Sequence, residues 1–212
     1  MMTNLILVLV VLTNLKLLGS SRLGASIRVV ALQGVVLGLL PILAYLQDLS
    51  VHFVLLAIGT ITLKGIVFPW LLFRAVREAE VAREIEPYVG YVASLVAGVL
   101  ALGVSFWMCT RLTMPTNIAS PWLAPVALFS IFAGLFLIVA RKRALNQVLG
   151  FLVLENGIYT FGIGIVAETP FLVELGVLLD VFVAVFVMGI AVYHINREFD
   201  HIETDRLDRL KG

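Results

Sequence analysis

The chain has 212 residues, of which 61% are hydrophobic and only 14% are charged, and its formal net charge is +1. A soluble globular domain of this length is not so apolar, so the composition indicates an integral membrane protein. The first apolar segment has no basic stretch before it and no small-residue cleavage pattern after it. We therefore expect a retained helix and not a signal peptide.

Apolar runs long enough to cross the hydrocarbon core of a bilayer recur seven times along the chain. None of them shows the strict alternation of a membrane strand, which favours helices. The predicted fold is all-α, a polytopic membrane protein with seven transmembrane helices. The predicted helices cover residues 3–18, 27–46, 51–73, 88–109, 122–140, 147–166 and 170–195.

The basic residues predict the orientation of these helices, because Lys and Arg are retained on the cytoplasmic side during insertion. In the seven-helix layout, all but two of the 15 Lys and Arg residues fall on one side. Arg111 is on the other side, and Lys64 is inside the third helix. The N-terminus is therefore predicted outside and the C-terminus in the cytoplasm.

Charge runs and turn residues divide the chain into four predicted parts. They are a three-helix half with a charged extension (1–87), a linking helix and outer loop (88–120), a second three-helix half (121–196) and an amphipathic cytoplasmic tail (197–212). The charged extension is either a solvated face or a docking surface, and the tail contacts either a partner or lipid headgroups. The two halves show weak similarity that aligns Gln33 with Glu155, although chance similarity between Leu- and Val-rich segments is an alternative.

Small residues spaced along two helices predict close helix packing. Gly34 and Gly38 are in the second helix, and Ala93, Ala97 and Ala101 form a stripe on the fourth. Small side chains let helix backbones approach closely in lipid, so we interpret both sets as packing positions without chemistry.

Two acidic residues, Glu155 and Asp180, lie deep inside apolar helices. By helical rise, Glu155 is roughly 12 Å from the cytoplasmic end of its helix and Asp180 roughly 15 Å from the outer end of the next. An ionised carboxylate at the bilayer centre costs roughly 2.5 kcal/mol or more, so such a residue pairs, stays protonated or lines an ion path. A proton path is the leading hypothesis.

Other polar residues are candidates for the same path. Lys64 is the complementary charge, because a buried Lys and a buried acid can exchange a proton at little net cost; a static ion pair is the alternative. Glu174, about 9 Å nearer the outer surface than Asp180, is either an outer stepping stone or a carboxylate near the headgroups. Asn156 and Tyr159 either extend a water chain beside Glu155 or satisfy a neighbouring helix.

Redox cofactors and metals are not expected. The chain has one cysteine, Cys109, which excludes an internal disulfide and an iron–sulfur cluster, since a cluster needs several thiolates. His52 is at an outer helix end, whereas His194 and His201 are at the inner side, which disfavours haem.

Intramembrane hydrolysis is also disfavoured. An aspartyl protease needs two deep aspartates that share a proton, and only Asp180 is deep. A serine protease needs a base beside its nucleophile, and neither Ser94 nor Ser105 has a histidine nearby in sequence. An autonomous small transporter is a further alternative, for which we expect no activity of the chain alone.

The stretch from Gln147 to Ile190, and most specifically LENG at 154–157 and LVELGVLLD at 172–180, resembles the E-type membrane component of hydrogenase-4 and of related formate hydrogenlyase complexes. That family is similar to the K-type, or 4L-type, subunit of respiratory complex I and to the C-type subunit of multisubunit sodium/proton antiporters. The similarity is densest over the last three predicted helices, which are therefore expected to be K-type-like.

This resemblance implies a non-catalytic membrane subunit of a complex I-like group 4 NiFe hydrogenase, in the cytoplasmic (inner) membrane of a prokaryote. The implied partners are antiporter-like and K-, J- and H-type chains, with a cytoplasmic hydrogenase arm as a further candidate; lipid surrounds the chain and no nucleic acid is expected. The alternatives are a purely structural membrane-arm subunit and a C-type antiporter subunit.

The K-type subunits carry a glutamate in the middle of each of two adjacent helices. By resemblance, Glu155 takes the first position, and the second falls on Asp180 or on Glu174. Lys64 and Gln33 belong to the leading half, which goes beyond the three-helix K-type subunit, so the resemblance implies nothing about them.

Overall fold

The computed structural model describes residues 2–44, 51–78, 87–111, 120–165 and 189. Within these ranges the regular structure is helical, as is expected where lipid offers no partner for an unpaired backbone group. The helices are α1 (Met2–Leu18), α2 (Leu23–Gly38), α3 (Leu40–Ala44), α4 (Val51–Thr62), a π-helical segment (Leu63–Val67), α5 (Phe68–Glu78), α6 (Tyr91–Arg111), α7 (Leu123–Ala140) and α8 (Ala144–Ile165).

Four helical segments in the described ranges are long and apolar enough to cross a membrane. They are Leu23–Leu43, Ala57–Arg77, Tyr91–Arg111 and Leu123–Ala140, and Met2–Leu18 is a shorter apolar helix. Helical structure thus occupies the first six of the predicted stretches, which confirms a helical membrane protein. Of the seventh stretch, 170–195, only residue 189 is described, and the tail lies outside the described residues.

The second predicted helix is interrupted at Leu39, which separates α2 from α3. Pro41 has no backbone N–H to donate to the Leu37 carbonyl, and the residue before a proline is disfavoured in the α conformation. The Leu39 N–H instead donates to the Val36 carbonyl at 3.3 Å, and the Leu43 N–H donates to the Leu39 carbonyl at 3.1 Å. The chain therefore resumes its helical course after one irregular residue.

The third predicted helix contains a π-helical turn, which the sequence did not predict. It spans Leu63–Val67, and the Phe68 N–H donates to the Leu63 carbonyl, five residues back. Pro69 follows at once and cannot donate to the Gly65 carbonyl, so the α-helical bonding pattern already lacks one bond here. Single π turns inside α-helices occur frequently at functional sites, and this one contains Lys64.

Glycines set the closest helix contacts. A Cβ atom on Gly157 would lie 2.7 Å from the Ile131 backbone nitrogen, so α7 and α8 pack backbone against backbone. On α2, a Cβ at Gly38 would lie 2.5 Å from the Ile61 side chain, which confirms the predicted packing role of Gly34 and Gly38.

The alanine stripe predicted on the fourth helix is not its buried face. Ala93 is exposed, and Ala97 and Ala101 are half-buried. The buried residues of α6 are Ser94, Gly98 and Ser105. Ser105 is as small as alanine and donates its hydroxyl to the Ala101 carbonyl of its own helix at 2.8 Å, so it packs without an unpaired donor.

Candidate functional site

Lys64 and Glu155 form a buried ion pair between the π-helical segment and α8. Lys64 Nζ lies 2.7 Å from Glu155 Oε1, and the two side chains are only 5% and 3% exposed. Lys64 is 13 residues from the start of α4, about 20 Å along a continuous helix, and Glu155 is 11 residues from the start of α8, about 16 Å. Both charges are thus in the middle of apolar helices, far from either end.

Gly34 on α2 creates the space that Lys64 occupies. A Cβ atom at position 34 would lie 2.5 Å from the Lys64 Cβ and 3.3 Å from its carbonyl oxygen. Any larger residue would therefore push α2 and the π-helical segment apart. On the other partner, the tight backbone packing of α7 against α8 around Gly157 fixes the turn that carries Glu155.

Residues of α8 surround the Lys64 ammonium on further sides. Lys64 Nζ donates to Asn156 Oδ1 at 3.2 Å and lies 5.2 Å from the centroid of the Tyr159 ring, a cation–π distance. Thr60, one turn before Lys64, donates a long hydrogen bond of 3.4 Å to the Tyr159 hydroxyl. The ammonium therefore meets a carboxylate, an amide oxygen and an aromatic face.

A chain of buried amides continues from Lys64 across the bundle. Asn156 Nδ2 donates to Gln33 Oε1 at 3.1 Å, and Gln33 Nε2 donates to Asn14 Oδ1 at 2.8 Å. Asn14 Nδ2 then donates to Ser130 Oγ at 2.8 Å. The chain thus joins α8, α2, α1 and α7 by direct side-chain hydrogen bonds at one level of the bundle.

Glu155 is less completely bonded than Lys64. Its second oxygen, Oε2, is buried and has no hydrogen-bond partner among the described residues. An ionised carboxylate with a buried oxygen that lacks a hydrogen bond is costly, and a proton on that oxygen would remove the charge but leave an O–H group that also needs a partner. The pair therefore has one direct N–H···O contact and one carboxylate oxygen that accepts no hydrogen bond from the described residues.

A second buried cation lies at the end of α7. Arg141 is 1% exposed, its Nη2 donates to the Leu18 carbonyl at 2.6 Å, and its guanidinium lies 4.7 Å from the centroid of the Tyr91 ring. It therefore connects the ends of α1, α6 and α7. Beside it, Ser20, Ser26 and Asn146 line a cavity of about 10 Å³, room for a single water molecule.

The chain is similar to two kinds of known protein. The uncharacterised protein Rv0085 of Mycobacterium tuberculosis (strain ATCC 25618 / H37Rv) is 32% identical over 206 residues, which cover 95% of this chain and 92% of Rv0085. This chain belongs to the Rv0085 family.

Hydrogenase-4 component E of Escherichia coli (strain K12) and of Shigella flexneri is similar to part of this Rv0085 family member. The identity is 34% over 102 residues, and the match spans 48% of this chain and 46%, about half, of component E. This supports a relation to hydrogenase-4 subunits. No protein-family model and no solved structure matches the chain.

Five of the candidate residues predicted from sequence come together in this Rv0085 family member. They are Lys64, Glu155, Asn156, Gln33 and Tyr159. The weak repeat aligned Gln33 with Glu155, whereas the amide of Gln33 bonds the adjacent Asn156. Asp180 and Glu174 lie outside the described residues.

Sequence reasoning missed four polar residues of the cluster. They are Thr13, Asn14, Thr60 and Ser130. Asn14 carried a signal that could have identified it, since an amide inside an apolar helix needs a partner. The hydroxyl residues carried none, because Ser and Thr can bond their own helix, as Ser130 does to the Val126 carbonyl at 2.9 Å. In the described ranges, no group of three or more His, Cys, Asp or Glu side chains is arranged to hold a metal ion.

Proposed function

We propose that this chain is a non-catalytic membrane subunit of a complex I-like group 4 NiFe hydrogenase or formate hydrogenlyase complex. In this proposal the Lys64–Glu155 pair is part of the proton translocation path, and electron transfer takes place in other chains. The buried pair at mid-helix carries the proposal. The partial similarity to hydrogenase-4 component E supports the type of complex.

Stability alone is a poor explanation for this pair. Desolvation of two charges commonly exceeds their attraction, and replacement of a buried ion pair by apolar residues of similar volume is often neutral or stabilising. Such residues inside a membrane usually mark an ion or proton pathway. Glu155 Oε2 accepts no hydrogen bond from the described residues, which supports this interpretation, because a purely structural carboxylate is expected to have both oxygens bonded.

The proposal also covers the last predicted helix, the orientation of the chain, the second carboxylate and the partner subunits. We propose that residues 170–195 form a seventh transmembrane helix, with the N-terminus of the chain outside and the C-terminus in the cytoplasm. The last three helices are then K-type-like, Glu155 is the first carboxylate of the path, and Asp180 is the second, with Glu174 as the alternative. We propose that the chain lies in the inner membrane of a prokaryote beside antiporter-like and K-, J- and H-type subunits.

A purely structural membrane-arm subunit is the second candidate. The direct 2.7 Å contact of Lys64 with Glu155 and the closed amide chain behind it favour this candidate, because both would hold helices together without any transfer. A C-type subunit of a multisubunit sodium/proton antiporter is a third, supported by family resemblance alone.

The class of complex is tested by affinity purification of the tagged chain from its native membrane. Mass spectrometry is expected to identify a large NiFe hydrogenase subunit together with antiporter-like chains. Antiporter subunits without any hydrogenase subunit would support the C-type alternative and contradict the proposal.

The proton path is tested in inside-out membrane vesicles that contain the whole complex. Glu155→Gln is expected to abolish formation of a proton gradient, read with a pH-sensitive dye, while hydrogenase activity with an artificial electron acceptor and co-purification of the other subunits are retained. Lys64→Met is likewise expected to abolish the proton gradient. Lys16→Met, an exposed lysine on α1, is the matched control and should pump normally. Undiminished pumping by Glu155→Gln in an intact complex would contradict the path.

A further inference from the structure

We propose that Asn156, Gln33 and Asn14 form a polarised amide chain that keeps Lys64 an ammonium ion, so that Glu155 is the group of the pair that takes up and releases the proton. This inference rests on the proposed function and deepens it, because it assigns the two charges different roles. The three amides are positioning residues, since they act on Glu155 through Lys64.

The orientation of the three amides follows from the donors and acceptors that each of them must meet. An ammonium group has three donors and no acceptor, so Asn156 must present its oxygen to Lys64. Its NH₂ group then faces the Gln33 oxygen, and the Gln33 NH₂ group faces Asn14. Reversal of any one amide would bring two donors or two acceptors together.

The chain has a defined end on α7. Asn14 donates to the Ser130 hydroxyl, which accepts this bond and donates in turn to the Val126 carbonyl. A hydroxyl can accept and donate at once, so it closes the chain on a backbone oxygen without an unpaired donor. Thr13 Oγ1 accepts a second, longer bond of 3.3 Å from Gln33 Nε2 and holds that amide in place.

All the amide dipoles in the chain point the same way. Each carbonyl oxygen lies on the Lys64 side of its amide and each NH₂ group on the far side, so the negative ends face the ammonium. Asn14, Gln33 and Asn156 are each 1% exposed or less. In such a low-dielectric surrounding, dipoles act strongly on a charge, and hydrogen bonds in a chain polarise one another. The chain therefore stabilises the charged form of Lys64.

The described residues that face Lys64 through an ion pair, a ring contact or the amide chain favour the same assignment. From α8 they are the Glu155 carboxylate and the Tyr159 ring, and from α2 the amide chain acts through Gln33. If Lys64 lost its proton, Asn156 Oδ1 would lose a charged donor and the Tyr159 ring its cation. If Glu155 gained a proton on Oε2, which accepts no hydrogen bond from the described residues, Oε1 could still accept from Lys64.

The proton transfer is then a simple exchange with a hydrated path. A hydronium ion gives one proton to Glu155 Oε2, an O–H bond forms on the carboxyl, and water is left. Lys64 keeps its three N–H bonds, so the pair changes from net neutral to one positive charge. Release of the proton to the next acceptor reverses these changes.

Infrared spectroscopy of the full chain in lipid nanodiscs tests the assignment, because a protonated carboxyl has a C=O stretching band that a carboxylate lacks. Each spectrum is compared with that of the same protein carrying Glu155→Gln, which isolates the Glu155 signal. In Gln33→Leu the ammonium is less stabilised, and its proton moves to Glu155 to form a neutral pair. The ratio of protonated to ionised Glu155 should rise about tenfold, which corresponds to about 1.4 kcal/mol.

Thr160→Val is the matched control for the loss of a buried polar group. The Thr160 hydroxyl is fully buried on α8 and donates to the Asn156 backbone carbonyl, outside the amide chain, so its replacement should leave the Glu155 band unchanged. Asn14→Leu removes a more distant link and should shift the ratio in the same direction by less. If Gln33→Leu does not accumulate in the membrane, Asn14→Leu tests the inference in its place.

An unchanged Glu155 band in both Gln33→Leu and Asn14→Leu would overturn the inference, even if Glu155→Gln abolishes pumping and the proposed function stands. If the band rises in these variants but Glu155→Gln pumps normally, the inference stands and the proposed function is contradicted. The amide chain would then hold Lys64 as inferred, within a pair that is only structural.

Discussion

The backbone of Gly34 lies directly against the side chain of Lys64, where a Cβ atom would stand 2.5 Å from the Lys64 Cβ. This contact connects a packing feature with a charged site. The small residue that brings α2 close to the π-helical segment also brings Gln33, the residue before it, into contact with Asn156. Packing in the leading half of the chain thus supports the charges.

Gly34→Ala should therefore destabilise the fold and disturb the pair together. Overpacking of a tight contact costs about 1–3 kcal/mol, because the Lys64 backbone must move to admit the new methyl group. The free energy of unfolding, measured by denaturation with SDS in mixed micelles, should fall by this amount. Gly59→Ala on the neighbouring α4 is the control, since no atom of the described residues lies within 4 Å of its added Cβ. Equal stability of the two variants would show that α2 does not approach Lys64 so closely.

Arg141→Lys should weaken the contacts that connect the ends of α1, α6 and α7, even though it keeps the charge. Lysine has neither the planar guanidinium that stacks on Tyr91 nor the fork that reaches the Leu18 carbonyl. Hydrogen bonds from charged groups are worth about 1.5–3 kcal/mol, so a loss near the lower value is expected in the same unfolding assay. Lys142→Gln is the control, because Lys142 lies at a similar cation–π distance, 5.3 Å from the Tyr88 ring centroid, but its side chain is exposed. Comparable losses in both variants would contradict a special role of Arg141.

Tyr159 should contribute to the site mainly through its ring. Tyr159→Phe removes only the hydroxyl that accepts the 3.4 Å bond from Thr60, so less than about 1 kcal/mol of stability should be lost. Tyr159→Leu also removes the aromatic face over Lys64, and the desolvated cation–π contact is worth about 2 kcal/mol. The two variants should therefore differ in both unfolding free energy and proton pumping. If Tyr159→Phe is as damaging as Tyr159→Leu, the hydroxyl and not the ring is the essential part.

The charged residues of the site were predictable from sequence, because an ionisable residue inside an apolar stretch is conspicuous. Lys64 and Glu155 were identified in this way, and Asn156 by its position next to Glu155. The sequence did not predict that Gln33 bonds Asn156 and not Glu155, because a shift of one residue in helix register decides this and only packing fixes the register.

The π-helical turn and the far end of the amide chain could not be predicted for a different reason. Pro69 lacks a backbone donor and so favours a bend, but the position of the extra residue depends on how Leu63–Val67 packs against Gly34. Ser130 and Thr13 bond their own helices as well as the amides, so their sequence context is that of ordinary buried hydroxyls. Helix existence follows from apolar length, whereas helix neighbours follow from tertiary contacts of small residues.

Replacement of both charges distinguishes a proton path from a structural ion pair. Lys64→Met alone leaves the Glu155 carboxylate buried without its partner, which should cost about 3–5 kcal/mol of stability or force Glu155 to remain protonated. Lys64→Met combined with Glu155→Met removes both charges at similar volume. Its stability should be close to that of the wild type, because the relief of desolvation is offset by the donor that Asn156 Oδ1 loses. The free energy of unfolding and the proton gradient in vesicles that contain the whole complex are measured in parallel. If the pair transfers protons, the double variant is stable and fully assembled but forms no gradient. If the pair only holds helices together, the same stable variant pumps normally, and the proton path must run through other residues.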